Sequence, residues 1–482
     1  MGKSIKKNFI YNTVLTVGNM VIPLITFPYV SRVLDPKGLG MANYANSVVS
    51  YLILFACFGV NTYGIKEGAK HRDCPDKMKS FVWEMMIINA CTVTLALIAL
   101  AILCVIPFHK PYILLLWIYG LQIVTSSFSM SWFVSAIEEF KYVTVRSLAI
   151  QVLCMILTFI CIRDSSDYVI YALVSVISSV LTMILNMVFV HKKLSIGRIE
   201  NLKIKRHIKP MILILGGSLS ATIYSNSDVT MLGMFCGDYH VGIYSVSVKI
   251  VRIMITFVSS LSTVLLPRTS YYKKNNMLVE YENLLKKGLD FLLMISIPST
   301  VGIAVLSKEL ILVFAGEQYG DSIINLKLLA LNIVISSVSA FVAYQILLND
   351  NGESKFLMAT LLSCIVNVFL NLWLIPLFNE NAAAVTTLIS EALNGLICIG
   401  LSKNKVNYSK IFSNLKDYII ASVIMAACVL LSYEFIFRGV NGILILILEM
   451  LVGIISYAIA LLLLRNYLFI ELIGLAKRKF MK

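Results

Sequence analysis

The chain has 482 residues, of which 59% are hydrophobic and only 14% charged, and its mean hydropathy is +0.85. No soluble globular class has that composition; it reads as an all-α, polytopic integral membrane protein. The formal net charge of +15 does not mark a nucleic-acid binder, because the cations lie in short connections between apolar segments rather than on a soluble domain.

Apolar segments near the ~20-residue bilayer length fall at roughly 8–33, 40–65, 81–107, 111–135, 142–162 and 168–190. A second set follows at roughly 208–234, 241–266, 284–306, 323–349, 356–378 and 381–402, and two more at roughly 416–437 and 441–464. That makes about fourteen spans. Lys3, Lys6 and Lys7 precede the first segment, which runs past Pro28 without a small-residue cleavage site and so reads as an uncleaved span. Lys and Arg divide between the connections about 32 to 6 in alternation, which puts both termini on the cytoplasmic side. Lys249, Arg252 and Lys327 are the cations left inside spans.

The basic connection at 191–207 separates an N-terminal six-helix bundle, 1–190, from a second, 208–402; residues 403–482 add two apolar helices and a basic tail. The halves echo each other. Leu34-Asp-Pro-Lys-Gly-Leu-Gly-Met-Ala-Asn-Tyr44 follows span 1, and Phe235-Cys-Gly-Asp-Tyr-His-Val-Gly-Ile-Tyr244 follows span 7, with Gly40 matching Gly242. Two pseudo-symmetric bundles related by an axis along the membrane normal are expected. The last two segments, almost wholly apolar as in Ile443-Leu-Ile-Leu-Ile-Leu448, belong at the lipid-facing periphery.

Polar residues inside the spans mark the chemistry. Ser245, Lys249, Arg252, Thr256, Ser259 and Thr263 recur at intervals of three and four along span 8, and Ser218, Thr222, Ser225 and Asp228 do so along span 7. A charge at the bilayer centre costs roughly 2.5–3.5 kcal/mol on insertion scales, so Asp228, Lys249 and Arg252 need a reason. One is an Asp–Lys clasp between helices; the other, which the length of the stripe favours, is the wall of a wet cavity.

Span 1 contributes Asn12, Thr16, Asn19 and Thr26, with Pro23 and Pro28 predicting a bent or broken helix that would suit a gate or be a static kink. Arg32 at its outer end faces either Asp35 or a ligand. Span 2 adds Asn43, Asn46 and Ser50; span 4 adds Gln122, Ser126 and Ser129 before Trp132-Phe133. Span 11 adds Ser363, Asn367 and Asn371; span 12 adds Thr387, Asn394 and Glu391, the last either pairing with Arg252 or Lys249 or exchanging a coupling proton. Lys327 either snorkels or meets substrate.

Ten cysteines and five histidines are scattered without metal-ligand spacing, so no metal site and no cofactor is expected. There is no GxxxxGK[ST] phosphate loop, and the outer connections are too short for the loop of a membrane glycosyltransferase or polymerase, so no enzyme is expected.

The Asn12-to-Gly40 stretch with its Leu-Asp-Pro-Lys-Gly-Leu-Gly turn, the block Asp228…Gly233…Gly242-Ile-Tyr244, and the six-plus-six-plus-two layout together resemble the Wzx-type oligosaccharide flippases. These are polysaccharide-biosynthesis proteins of the multidrug/oligosaccharidyl-lipid/polysaccharide transporter superfamily. The resemblance covers nearly the whole chain. It implies a MATE-like V of two bundles working by alternating access on an undecaprenyl-pyrophosphate-linked sugar repeat unit, with polysaccharide polymerase or export machinery as possible partners. It also implies a central cationic cavity with Lys249 and Arg252 at the pyrophosphate and Asp228, Asn19, Asn43, Ser245, Thr256, Asn367 and Glu391 around it. Pro23, Pro28, Arg32 and Lys327 would lie at a gate or outer end. A lipid II flippase and a cation-coupled multidrug exporter of the same superfamily are the alternatives.

Overall fold

The computed structural model describes residues 5–194, 202–350, 352–403, 405–436 and 442–480; the side chains of residues 5, 6, 8, 9, 261–264, 410 and 475–480 are outside that description. Lys3, part of the 191–207 connection and the Lys6 and Thr263 side chains, all part of the sequence expectations, are therefore not described. The described residues are almost entirely helical, with no strand among them. Among the described residues thirteen helices are long and apolar enough to cross a membrane.

The chain divides into two compact units, Met1–Gly242 and Ile243–Lys482. In the first, the helices are α1 (Ile5–Val33), α2 (Pro36–Cys57), α3 (Val60–Lys70), α4 (Pro75–Val105), α5 (Ile113–Ser127), α6 (Ser131–Ala136), α7 (Phe140–Cys161), α8 (Tyr168–Lys193) and α9 (Lys205–Phe235). Then α10 (Asp238–Lys274) begins, its first turn closing this unit. Of the bent or broken helix expected at Pro23 and Pro28, α1 shows no break: it runs as one helix through both.

Asp35 starts α2 by accepting from the Gly38 amide at 2.6 Å, with Pro36 at the first helical position. The start of α2 and the start of α10 touch backbone to backbone. A Cβ on Gly40 would sit 1.8 Å from Asp238 O, and one on Gly242 would sit 1.9 Å from Pro36 O. Positions 242 and 40 differ by 202, as do 238 and 36, so the contact is reciprocal between the two matching turns. Tyr112 ties the same place down, its hydroxyl donating to Asp238 Oδ1 at 2.8 Å. The α9 helix lies on α2 by the same device: Gly233 leaves room for the Tyr44 ring, and Ser47 and Tyr51 hydroxyls meet Thr230 Oγ1 at 3.0 and 3.2 Å.

The second unit continues along α10 into α11 (Leu278–Val305), α12 (Ser307–Phe314), α13 (Ser322–Val342), α14 (Glu353–Ser402), α15 (Tyr408–Ile411), α16 (Leu415–Phe435), α17 (Ile443–Leu463) and α18 (Tyr467–Phe480). The α14 helix, 50 residues long, is two spans: Asn379 leaves helical geometry at φ 51°, ψ −133°. Thr386 Oγ1 donates to Asn371 Oδ1. Fifteen residues along a straight helix would separate them by about 22 Å, so the chain doubles back at Asn379. The thirteen helices thus make fourteen crossings. Asn325 of α13 donates to Glu380 O at 2.7 Å and caps the reversal.

The α16 and α17 helices pack on each other and on α11. Tyr457 donates to Met294 O at 2.9 Å, and Lys287 pairs with Glu471 of α18 at 2.8 Å. Their outer faces carry exposed Val423, Leu430, Leu444, Leu451 and Ile454, which suit lipid.

Gly40→Ala and Gly242→Ala should each destabilise the protein by about 3 kcal/mol or more, because a backbone oxygen cannot move aside as a side chain does. Gly216→Ala, whose Cβ would meet nothing within 4 Å, should leave stability unchanged. Thermal unfolding in detergent reads all three.

Candidate functional site

In the second unit, α10 separates its residues cleanly. Ile243, Val246, Ser247, Ile250, Val251 and Val258 are buried, at helical angles opposite Ser245, Lys249, Arg252, Thr256 and Ser259. Ser247 locks the buried face: it donates to Ser322 O at 3.1 Å, while Ser322 donates to Ile243 O at 2.9 Å. On the other face Arg252 and Thr256 are exposed, and Ser245 and Lys249 half-buried. Lys249 and Arg252 lie roughly 16 and 21 Å from the helix start, mid-depth for a hydrocarbon core of ~30 Å. Among the described residues the Arg252 guanidinium has no ion-pair partner. A cation exposed at that depth is stable only against water or an anion, not lipid. Thr256 spends its hydroxyl on Arg252 O at 2.8 Å.

The other expected residues of this unit divide. Glu391 is half-buried on α14 and Lys327 exposed on the second turn of α13. Asn367 is 1% exposed and accepts from Asn371 Nδ2 at 3.2 Å, within the ladder that closes the α14 hairpin. Asn371, which accepts from Thr386, is the residue that joins the two arms.

In the first unit Asp228 is buried on α9, and Asn43 half-buried on α2. Asn19 accepts from Gln151 Nε2 of α7 at 2.7 Å, and Arg32 is exposed at the end of α1. Asp35 is engaged as the cap of α2.

One cluster escaped the sequence reading. Glu84 of α4 is 1% exposed and receives three bonds. Lys203 N reaches Oε1 at 2.6 Å, and Arg206 and His207 reach Oε2 at 2.9 and 2.8 Å. Tyr63 OH meets His207 Nδ1 at 2.8 Å. The available signal was a lone carboxylate in an apolar span; its partners, Lys203 just before α9 and Arg206 and His207 on its first turn, are over a hundred positions away. The cluster staples the start of α9 to α4.

A second polar locus lies at the other end of α10. Lys273 pairs with Asp350 at 2.7 Å, and Lys405 pairs with the same carboxylate. Burial pushes the Lys273 ammonium down from its ordinary pKa; burial and then the Lys273 charge push Lys405 down. A cavity of about 540 Å³ beside them is lined by Glu282, Lys403, Lys405, Asn407, Tyr408 and Ser409. Among the described residues no group of three His, Cys, Asp or Glu converges as metal ligands would.

These features define the class: a polytopic all-α membrane protein with cations on a membrane-spanning helix. Solved structures share its fold. The lipid II flippase MurJ in an inward closed conformation superposes with a TM-score of 0.73 at 14% identity, covering 95% of this chain and 99% of that one. An inward-facing MATE-family multidrug transporter of the MOP superfamily superposes at 0.57, 14% identity, covering 86% and 96%. A family model described as polysaccharide biosynthesis protein matches residues 5–273, more than half of the chain. The chain belongs to that family. It is 24% identical over 407 residues to an Escherichia coli (strain K12) protein named for O-antigen transport, covering 84% of this chain and 98% of that protein. It is 22% identical over 390 residues to the Staphylococcus aureus capsular polysaccharide biosynthesis protein CapF, covering 80% and 96%.

Glu84→Gln should cost about 1–3 kcal/mol, because buried hydrogen bonds to the carboxylate weaken while the half-exposed Arg206 is left to solvent. Thermal unfolding of the variant beside the parent measures it; an unchanged midpoint would mean that the staple is idle.

Proposed function

We propose that this protein is a flippase that carries undecaprenyl-pyrophosphate-linked oligosaccharide repeat units from the cytoplasmic to the outer leaflet for surface polysaccharide export. The observation that carries the reading is the α10 face on which Lys249 and Arg252 stand at mid-depth, opposite a wholly buried face. Family membership and relatives named for O-antigen transport and capsular polysaccharide biosynthesis support the substrate class.

The physical argument is one of charge. A pyrophosphate cannot cross ~30 Å of hydrocarbon unpaired. Arg252 offers a planar fork for two phosphate oxygens, and Lys249 a mobile point charge one turn away. Charge-assisted hydrogen bonds of this kind are short and about twice as strong as neutral ones. Each partner covers the other's charge, so the desolvation that either suffers alone is offset. Ser245 and Glu391 would meet the first sugar or the coupling ion. The polyprenyl tail stays in lipid.

Both termini are cytoplasmic in this reading, the membrane is the bacterial plasma membrane, and the cycle is alternating access without covalent chemistry. The basic connections, with about 32 cations on one side and 6 on the other, support that orientation.

Native mass spectrometry of protein purified gently from its host tests the reading. A polyprenyl-pyrophosphate oligosaccharide should travel with the parent protein, be lost in Arg252→Ala, and be partly retained in Arg252→Lys. Bound lipid II would name a different cargo. No bound lipid, together with binding of cationic dyes that Asp228→Asn blocks, would sink the proposal in favour of drug export.

A further inference from the structure

The first unit holds a cavity of a different character. Its volume is about 450 Å³, and its lining includes Asn61, Gln122, Ser126, Ser129, Ser135 and Thr182, with no charged residue. None of those six side chains makes a hydrogen bond to the described residues. Trp132 also lines it: the residue is 1% exposed, and its indole N–H has no partner among the described residues.

The cavity lies where two membrane helices are interrupted. The α2 and α3 helices part at Phe58 and Gly59, with φ 45° and 76°; α5 and α6 part at Met130, φ 52°. Interrupted helices line binding sites in transporters. The break is built rather than frayed. Buried Asn186, held by Arg146, donates to Ser129 O at 2.7 Å, and buried Asn89 donates to Ser127 O at 2.6 Å. Gly64 makes room for the Trp132 ring, which a Cβ would approach to 2.6 Å.

We propose that this cavity binds a neutral sugar ring. Its size falls within the ~300–1,000 Å³ of small-molecule sites. Uncharged hydroxyls and carboxamides match sugar hydroxyls as donor and acceptor at once. A phosphate would find no cation there, and a cationic drug no carboxylate. The inference deepens the reading above, because a lipid-linked oligosaccharide would supply the sugar, yet it rests on different residues.

Saturation-transfer NMR tests it on the full-length protein in nanodiscs, with methyl glucoside, methyl galactoside, methyl mannoside and N-acetylglucosamine as probes. Transfer to at least one ring is expected in the parent. It should weaken at least tenfold in Ser126→Ala/Ser129→Ala and fall in Gln122→Leu, with thermal unfolding unchanged. Absence of transfer to all four probes, or transfer that persists undiminished in both variants, overturns the assignment. Loss of pyrophosphate lipid from the mass-spectrometric test with glycoside contact intact would sink the flippase reading and leave the cavity standing. The reverse outcome would overturn the cavity alone.

Discussion

Hydrocarbon offers no hydrogen bond, so every backbone carbonyl at membrane depth must find a partner within the protein. Where the helices run on, each turn satisfies the next. Where they stop, a buried side chain from a neighbour takes over. Thr92 donates to Ala56 O before the α2–α3 break, Asn89 to Ser127 O before the α5–α6 break, and Asn325 to Glu380 O at the α14 reversal. Tyr281 donates to Gln345 O in the π-helical segment Ala343–Leu347. These polar residues permit the interruptions of the helices.

Glycine serves the complementary need, close approach. The reciprocal contact of Gly40 with Asp238 O and of Gly242 with Pro36 O brings the starts of two repeat-related helices to backbone distance. Any side chain at either position would force them apart. A repeat that reads as a faint echo in sequence is, at this point, a two-way steric requirement.

Cations pose the opposite problem. Several are answered by a carboxylate: Arg206 by Glu84, Lys273 and Lys405 by Asp350, Lys287 by Glu471. Arg252 stands apart at mid-depth on an exposed face. The proposed division of labour follows from that contrast, with phosphate taken by the cationic face of α10 in one unit and neutral sugar by the hydroxyl cavity of the other.

Composition and periodicity were enough to read an all-α membrane protein, its segments, the reversal near residue 380 and the polar stripe of α10. Each of these depends on spacing along one helix, which a linear pattern records directly. The roles of individual polar residues were less legible. The bonds that Asn367 makes to Asn371 and Asn19 to Gln151 on α7 do not show in their spacing. Pro23 and Pro28 predict a bend or a break, and α1 runs through both without a break. Glu84 was one carboxylate in an apolar run until His207 and Arg206 came to it from more than a hundred positions away. Gln122, Ser126 and Ser129 were a short polar row until α8 and the break at Met130 made them one side of a cavity. A sequence thus determined which residues share a helix face, because the helix period is fixed by backbone geometry. Only tertiary structure decided what each face meets, because that depends on which helices pack together and where their backbones are allowed to break.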